Sequence, residues 1–181
     1  GGMLTYGIPS YKLEKDVVEE EIDIIRALGV EIKCGVEVGK DITLDELRKD
    51  GYEAFYIAIG CQGSRKSGVA GEDADGVMSA VDILHEIAEN HDLDLKGNKT
   101  VVIGGGNVAV DVARSTKRCG ADVLGMFCLE SREEMPASEE EIFETEDEGI
   151  QINNGWGVKE ILAENGKVTG VVLKKCTSVK D

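Results

Sequence analysis

The stretch KTVVIGGGNVAVDVARSTKRCGADVLGMFCLESREEMPA, Lys99–Ala137, decides the reading of this 181-residue chain. An apolar run, Thr100–Ile103, leads straight into Gly104-Gly105-Gly106, and Val108–Arg118 follows with helical character. The loop Gly104-Gly105-Gly106-Asn107-Val108-Ala109 fits G-x-G-x-x-A, in the strand-to-helix context that gives this pattern weight. Gly104 permits the tight turn, Gly106 keeps a Cβ out of the way of a pyrophosphate, and Ala109 lets helix and strand pack closely. The helix N-terminus adds free N–H groups and partial positive charge. The alternative is a bare turn that holds nothing. The strand expected over Asp122–Leu129 offers a second test, because Glu130 follows it, 21 residues after Ala109. A carboxylate there can accept hydrogen bonds from an adenine ribose. The stretch therefore reads as a dinucleotide cradle. Glu130 would repel a 2′-phosphate, which favours NADH over NADPH; Arg132 could instead reach that phosphate, or pair with Glu133 or Glu134.

Working outward, Asp122–Leu129, an acidic helix over Ser138–Glu148 and the run "IQIN" extend the unit to β-α-β-α-β. Two alternating runs then meet at Asn165-Gly166, a strong hairpin signal. Upstream, Ser79–Glu89 reads as a helix, and the Gly-, Ser- and charge-rich Gly60–Gly76 as a linker or domain boundary. In the first third, Val17, Val18, Ile22, Ile25 and Leu28 fall at helical spacing as a core-facing stripe, ended by Gly29. "VEIKCGVEV" alternates like a strand, Thr43 and Glu46 form a capping box, and "AFYIAIG" reads as a strand buried on both faces. Asp111 would complement the dipole of its helix.

Composition narrows the function. A net charge of −16 and an aromatic share of 4% argue against nucleic acid, since phosphates would be repelled and stacking platforms are few. No apolar run approaches the ~20 residues of a membrane span and no signal peptide is read, so the expected compartment is the cytoplasm. Cys34, Cys61, Cys119, Cys128 and Cys176 stand singly; they are expected to be reduced thiols, with no metal site and no redox role for Cys61.

"VVIGGGNVAVDVAR" and "SREEMPA" with its acidic helix resemble the pyridine-nucleotide domain of the glutamate synthase small (β) subunit family. "GGMLTYGIPSYKLEKDVVEEEIDIIRALGVEI" resembles the family's segment after its first FAD motif, and "VGKDITLDEL…GYEAFYIAIG" the strand and A-T-G loop that return to the flavin. The likeness runs from Gly1 to about Lys175. It implies an α/β fold: a Rossmann-like three-layer domain over residues 71–181 with an antiparallel hairpin insertion, preceded by part of an FAD-binding-type domain over residues 1–70. It also implies hydride transfer from NAD(P)H to FAD, and onward electron flow to iron–sulfur clusters in a large catalytic or iron–sulfur subunit or domain. By position, Gly104, Gly106, Asn107, Val108 and Ala109 would hold the pyridine nucleotide, and Ile59 and Gly60 would lie beside the flavin nucleotide. Direct transfer between two cofactors needs no catalytic side chain. Many members carry two arginines where Leu129 and Glu130 stand here, which weakens a carry-over of NADPH. The family's first FAD fingerprint, N-terminal iron–sulfur region and C-terminal part are not matched, so the chain reads as a fragment expected to be inactive alone. The rival reading is a stand-alone nucleotide-binding or docking module without catalysis.

Overall fold

The computed structural model describes residues 1–91 and 93–179. Along the chain run α1 (Met3–Tyr6), α2 (Lys15–Ala27), α3 (Leu44–Lys49), α4 (Ala80–Glu89), β1 (Lys99–Ile103), α5 (Asn107–Arg118), β2 (Asp122–Cys128), α6 (Glu139–Asp147), β3 (Ile152–Asn154), β4 (Trp156–Glu164) and β5 (Lys167–Lys175). β1, β2 and β3 form a parallel sheet in the order β1-β2-β3. Parallel neighbours need a crossover, and α5 and α6 supply it. The expected α/β class holds.

Local chemistry places most of these elements. Ser79 and Ser138 each accept a hydrogen bond from the N–H three residues on, at 3.1 and 3.4 Å, and so start α4 and α6. Thr43 and Glu46 form the expected reciprocal capping box. Asn165 and Gly166 both take positive φ, 51° and 80°, as a tight turn between β4 and β5 requires.

The core gathers under the parallel sheet. Val102, Met126 and Cys128 from the strands meet Val110, Val112 and Ala113 of α5, with Leu84, Ile142 and Ile150 alongside. α5 therefore lies between α4, α6 and the sheet. Its exposed apolar residue is Val108, expected on the same face as Val112 and Ser115 but half-exposed here.

The first third departs from expectation. Val18 alone of the α2 stripe is buried; Val17, Ile25 and Leu28 face outward. "VEIKCGVEV" and "AFYIAIG" form no strand, and Tyr56 and Ile59 are 95% and 83% exposed rather than buried on both faces. A strand exists only with a neighbour to satisfy its N–H and C=O groups. Among the described residues none pairs with these runs beyond a bridge between Val38 and Ile42.

The expected linker is pinned at its end. Ile161 N–H donates to Ala70 O at 2.9 Å, Asp75 N–H to Gly166 O at 2.8 Å, and Val168 N–H to Asp75 O at 2.9 Å. Gly71, at φ 84°, passes so close to β4 that a Cβ would stand 2.0 Å from Ile161 O. Gly71→Ala should therefore cost ~2–4 kcal/mol in urea or thermal unfolding. An unchanged midpoint would show that this segment does not pack on the hairpin.

Candidate functional site

The glycine loop sits at the C-terminal end of β1, and Glu130 two residues past the end of β2. In an open parallel sheet that edge is where ligands settle. Gly104 has φ 138°, in the region glycine favours, and a Cβ there would stand 3.1 Å from that of Ala109. The tight turn and the close helix–strand approach expected of Gly104 and Ala109 are both present.

Gly105 and Gly106 differ in what confines them. A Cβ on Gly105 would lie 2.9 Å from Cys128 Cβ and 3.1 Å from Glu130 Oε2, so protein atoms demand that glycine. Gly106 has φ −96° and ψ 172°, open to any residue, and its Cβ would meet no protein atom nearer than Pro136 Cγ at 3.8 Å. Gly106 caps α5, and the first N–H groups of that helix, at Asn107 and Val108, have no carbonyl of a preceding turn to bond. The space above it is left free by the protein.

The "SREEMPA" segment closes one side of this space. Ala137 N–H donates to Gly105 O at 3.1 Å, and Ser138 N–H to Asn107 Oδ1 at 3.0 Å. Asn107, expected to touch a nucleotide, thus uses its side-chain oxygen to hold the Pro136–Ser138 turn. Ser131 hydroxyl donates to Glu134 at 3.0 Å, tightening the turn's start.

Glu130 is anchored through its backbone. Its carbonyl accepts from Gly155 N–H at 3.1 Å and from the Asn154 amide at 3.2 Å, while its carboxylate folds back over Gly105. Cys128 lies beneath; burial, and next the Glu130 charge, push its thiol pKa up. Arg132 pairs with neither Glu133 nor Glu134 but with Glu146 of α6, at 3.5 Å. Beyond Glu130 a cleft of about 270 Å³ opens between Leu129, Ser131, Arg132, Asn154 and Cys176.

Ile59 and Gly60 do not join this site. Ile59 stands in solvent, and nothing lies within 4 Å of where a Gly60 Cβ would be. Cys61 is exposed too.

Sequence reasoning missed the polar side of α5. Asp111, Arg114, Ser115 and Thr116 are all buried. Asp111, expected only to complement the dipole, contacts Lys12 from the far end of the chain. Arg114 donates to Glu148 at 2.8 Å and to Glu144 at 2.6 Å, and lies over the Tyr11 ring at 4.9 Å. The Thr116 hydroxyl donates within its own helix, to Val112 O at 2.8 Å, but the partners of Asp111 and Arg114 lie 27 or more positions away or before residue 13, beyond the reach of any local pattern.

Among the described residues no group of His, Cys, Asp and Glu is placed to hold a metal ion, and no helix is long and apolar enough to cross a membrane.

The chain is similar to proteins that bear on this geometry. It is 40% identical over 182 residues to the NADP(+)-dependent formate dehydrogenase subunit beta of Moorella thermoacetica, covering 99% of this chain and 25% of that one. It is 35% identical over 186 residues to the glutamate synthase [NADPH] small chain of Escherichia coli, covering 96% and 39%. The chain thus spans a quarter to two fifths of these relatives' length. The Mycobacterium tuberculosis FprA structure in complex with NADPH shares the fold, with a TM-score of 0.73 at 19% identity over 96% of this chain and 54% of that one. These names specify NADP or NADPH, so the NADH preference expected from Glu130 finds no support in them. The pyridine nucleotide-disulphide oxidoreductase family model matches residues 2–180, and the chain belongs to that family.

Proposed function

We propose that residues 71–181 hold a pyridine dinucleotide, NADH or NADPH, for an FAD-dependent oxidoreductase of the glutamate synthase small-subunit type. One observation carries this reading: Gly106 is a glycine that neither its backbone angles nor any protein neighbour requires, at a helix N-terminus facing open space. A bound pyrophosphate explains it, because a Cβ would keep phosphate from the backbone. Gly104–Gly106 and the first N–H groups of α5 receive the phosphates, Val108 and Ala109 form the adjoining wall, and Asn107 holds the turn over them. Glu130 accepts from the adenine ribose, and the cleft beside it takes the adenine.

A dinucleotide held there would supply a hydride for FAD, from which electrons would go on to iron–sulfur clusters of a partner subunit or domain. Residues 1–70 are part of the FAD-binding domain in this reading. Their exposed runs at 30–38 and 54–60 then find neighbouring strands in the rest of that domain, with Ile59 and Gly60 beside the flavin nucleotide. The chain by itself should bind dinucleotide without turnover. Relatives named as beta or small subunits of larger enzymes support a partnered protein.

Calorimetric titration of the chain with NADH and with NADPH tests the reading. Binding of either supports it, and binding of neither, with the fold intact, overturns it. Glu130→Gln should shift the NADPH:NADH affinity ratio toward NADPH by about tenfold, the weight of one like charge removed from beside a 2′-phosphate. An unmoved ratio would show that Glu130 does not face the ribose.

A further inference from the structure

Asp111 is a poor neighbour for an anion. It lies one turn into α5, about 6 Å along the axis from the helix's first residue at 1.5 Å per residue. Side chains on a helix lean toward its N-terminus, so the carboxylate leans toward the phosphate end. Its Oδ1 is buried and has no aligned hydrogen bond. Glu141, in the first turn of α6, adds a second carboxylate beside it, and burial holds the Asp111 pKa above its usual range. Two acids close to the start of α5 oppose what the helix dipole offers an anion there.

Lys12 answers them. Its ammonium contacts Asp111 Oδ1 and donates to Glu141 Oε1, bridging the two helices. At Lys12 the two carboxylates outweigh burial and keep the ammonium charged; at Asp111 burial outweighs the lysine. The segment that delivers Lys12 is fixed at both ends. Tyr11 packs under the guanidinium groups of Arg114 and Arg118, at 4.9 and 4.1 Å from its ring centre. Lys15 donates to the carbonyls of Leu4 and Ile8, at 2.9 and 2.5 Å.

We infer that Lys12 is a charge-compensating residue for the dinucleotide site: together with Arg114, 3.4 Å from Glu141, it offsets the Asp111–Glu141 pair behind the α5 N-terminus, so that a pyrophosphate meets the helix dipole with those two acids balanced. Lys12 touches no ligand; it acts through Asp111 and Glu141. The inference rests on the dinucleotide reading above.

The test is calorimetric titration of the chain and its Lys12→Met variant with NADPH, NADH and uncharged adenosine, at low and high salt. Lys12→Met should weaken both dinucleotides roughly five- to twentyfold at low salt, less at high salt, and leave adenosine unchanged. Lys12→Arg should restore wild-type affinity, and so should Lys12→Met combined with Asp111→Asn. Circular dichroism of each variant separates these effects from unfolding. Equal weakening of adenosine, or no weakening of the dinucleotides in a folded Lys12→Met, would overturn the inference while leaving the site intact. A wild-type chain that binds neither dinucleotide would overturn both.

Discussion

Gly106→Ser should leave the thermal midpoint of the chain unchanged within about 2 °C, yet weaken dinucleotide binding roughly a hundredfold or more. The two halves of this result have separate causes. Serine is a favoured residue at the start of a helix, and φ −96° with ψ 172° suits it. Its Cβ meets nothing nearer than Pro136 Cγ at 3.8 Å, so the folded chain accepts it without strain. The same Cβ and hydroxyl occupy the space where a phosphate would touch the backbone. Gly105→Ala is the contrasting control. It forces a Cβ to 2.9 Å from Cys128 Cβ, so it should lower the midpoint itself. Titration of the serine variant beside its melting curve decides the matter. Wild-type affinity in Gly106→Ser would remove the observation on which the proposed function stands.

Arg114→Met should be the most destabilising single change at the polar face of α5, at ~3–5 kcal/mol. The Arg114 side chain is 6% exposed and donates to Glu144 and Glu148, with Glu141 at 3.4 Å. Its removal leaves partly buried carboxylates facing one another and strips the cover from Tyr11. Lysine would not substitute well, because a point charge cannot span carboxylates from successive turns of α6 as a planar fork does. At ~2–4 °C per kcal/mol for a chain of this size, the midpoint should fall by roughly 6–20 °C.

The same variant should flatten the acid limb of the stability curve. Burial alone would raise the Glu148 pKa, but hydrogen bonds from Arg118 and Arg114 outweigh it and hold the carboxyl below its usual value. A carboxyl lowered in the folded state contributes stability above its unfolded pKa. That contribution is lost as pH falls through the folded value. Without Arg114, less is present and less is lost. Melting curves from pH 7 down to pH 3 check both the size and the slope. A midpoint within 2 °C of wild type would show the cluster to be a solvated surface pairing.

How much was legible in the sequence follows from how far each cause reaches along the chain. The capping box of Thr43 and Glu46, the Asn165-Gly166 turn and the Gly104 bend each depend on a handful of neighbouring residues. Turn chemistry and capping act over those distances, and all three appear where expected. The alternation of β1-α5-β2-α6-β3 was legible for the same reason, since strand and helix periods are written locally. The runs at 30–38 and 54–60 carry strand patterns as clear as that of β1, yet form no strand. Periodicity states a preference, and only a paired neighbour satisfies the backbone.

Spacing within one β-α-β unit sets the glycine turn, its helix and the carboxylate one strand later, so these were readable residue by residue. Tertiary structure decided the rest. It set Asn107 to holding the "SREEMPA" turn, Arg132 to pairing with Glu146, and Lys12 to facing Asp111 across 98 intervening positions. It also separated two adjacent glycines that look alike in sequence: one confined by Cys128 and Glu130, the other open to space. A buried charge takes whichever partner the packing brings within reach, and no local period encodes that partner.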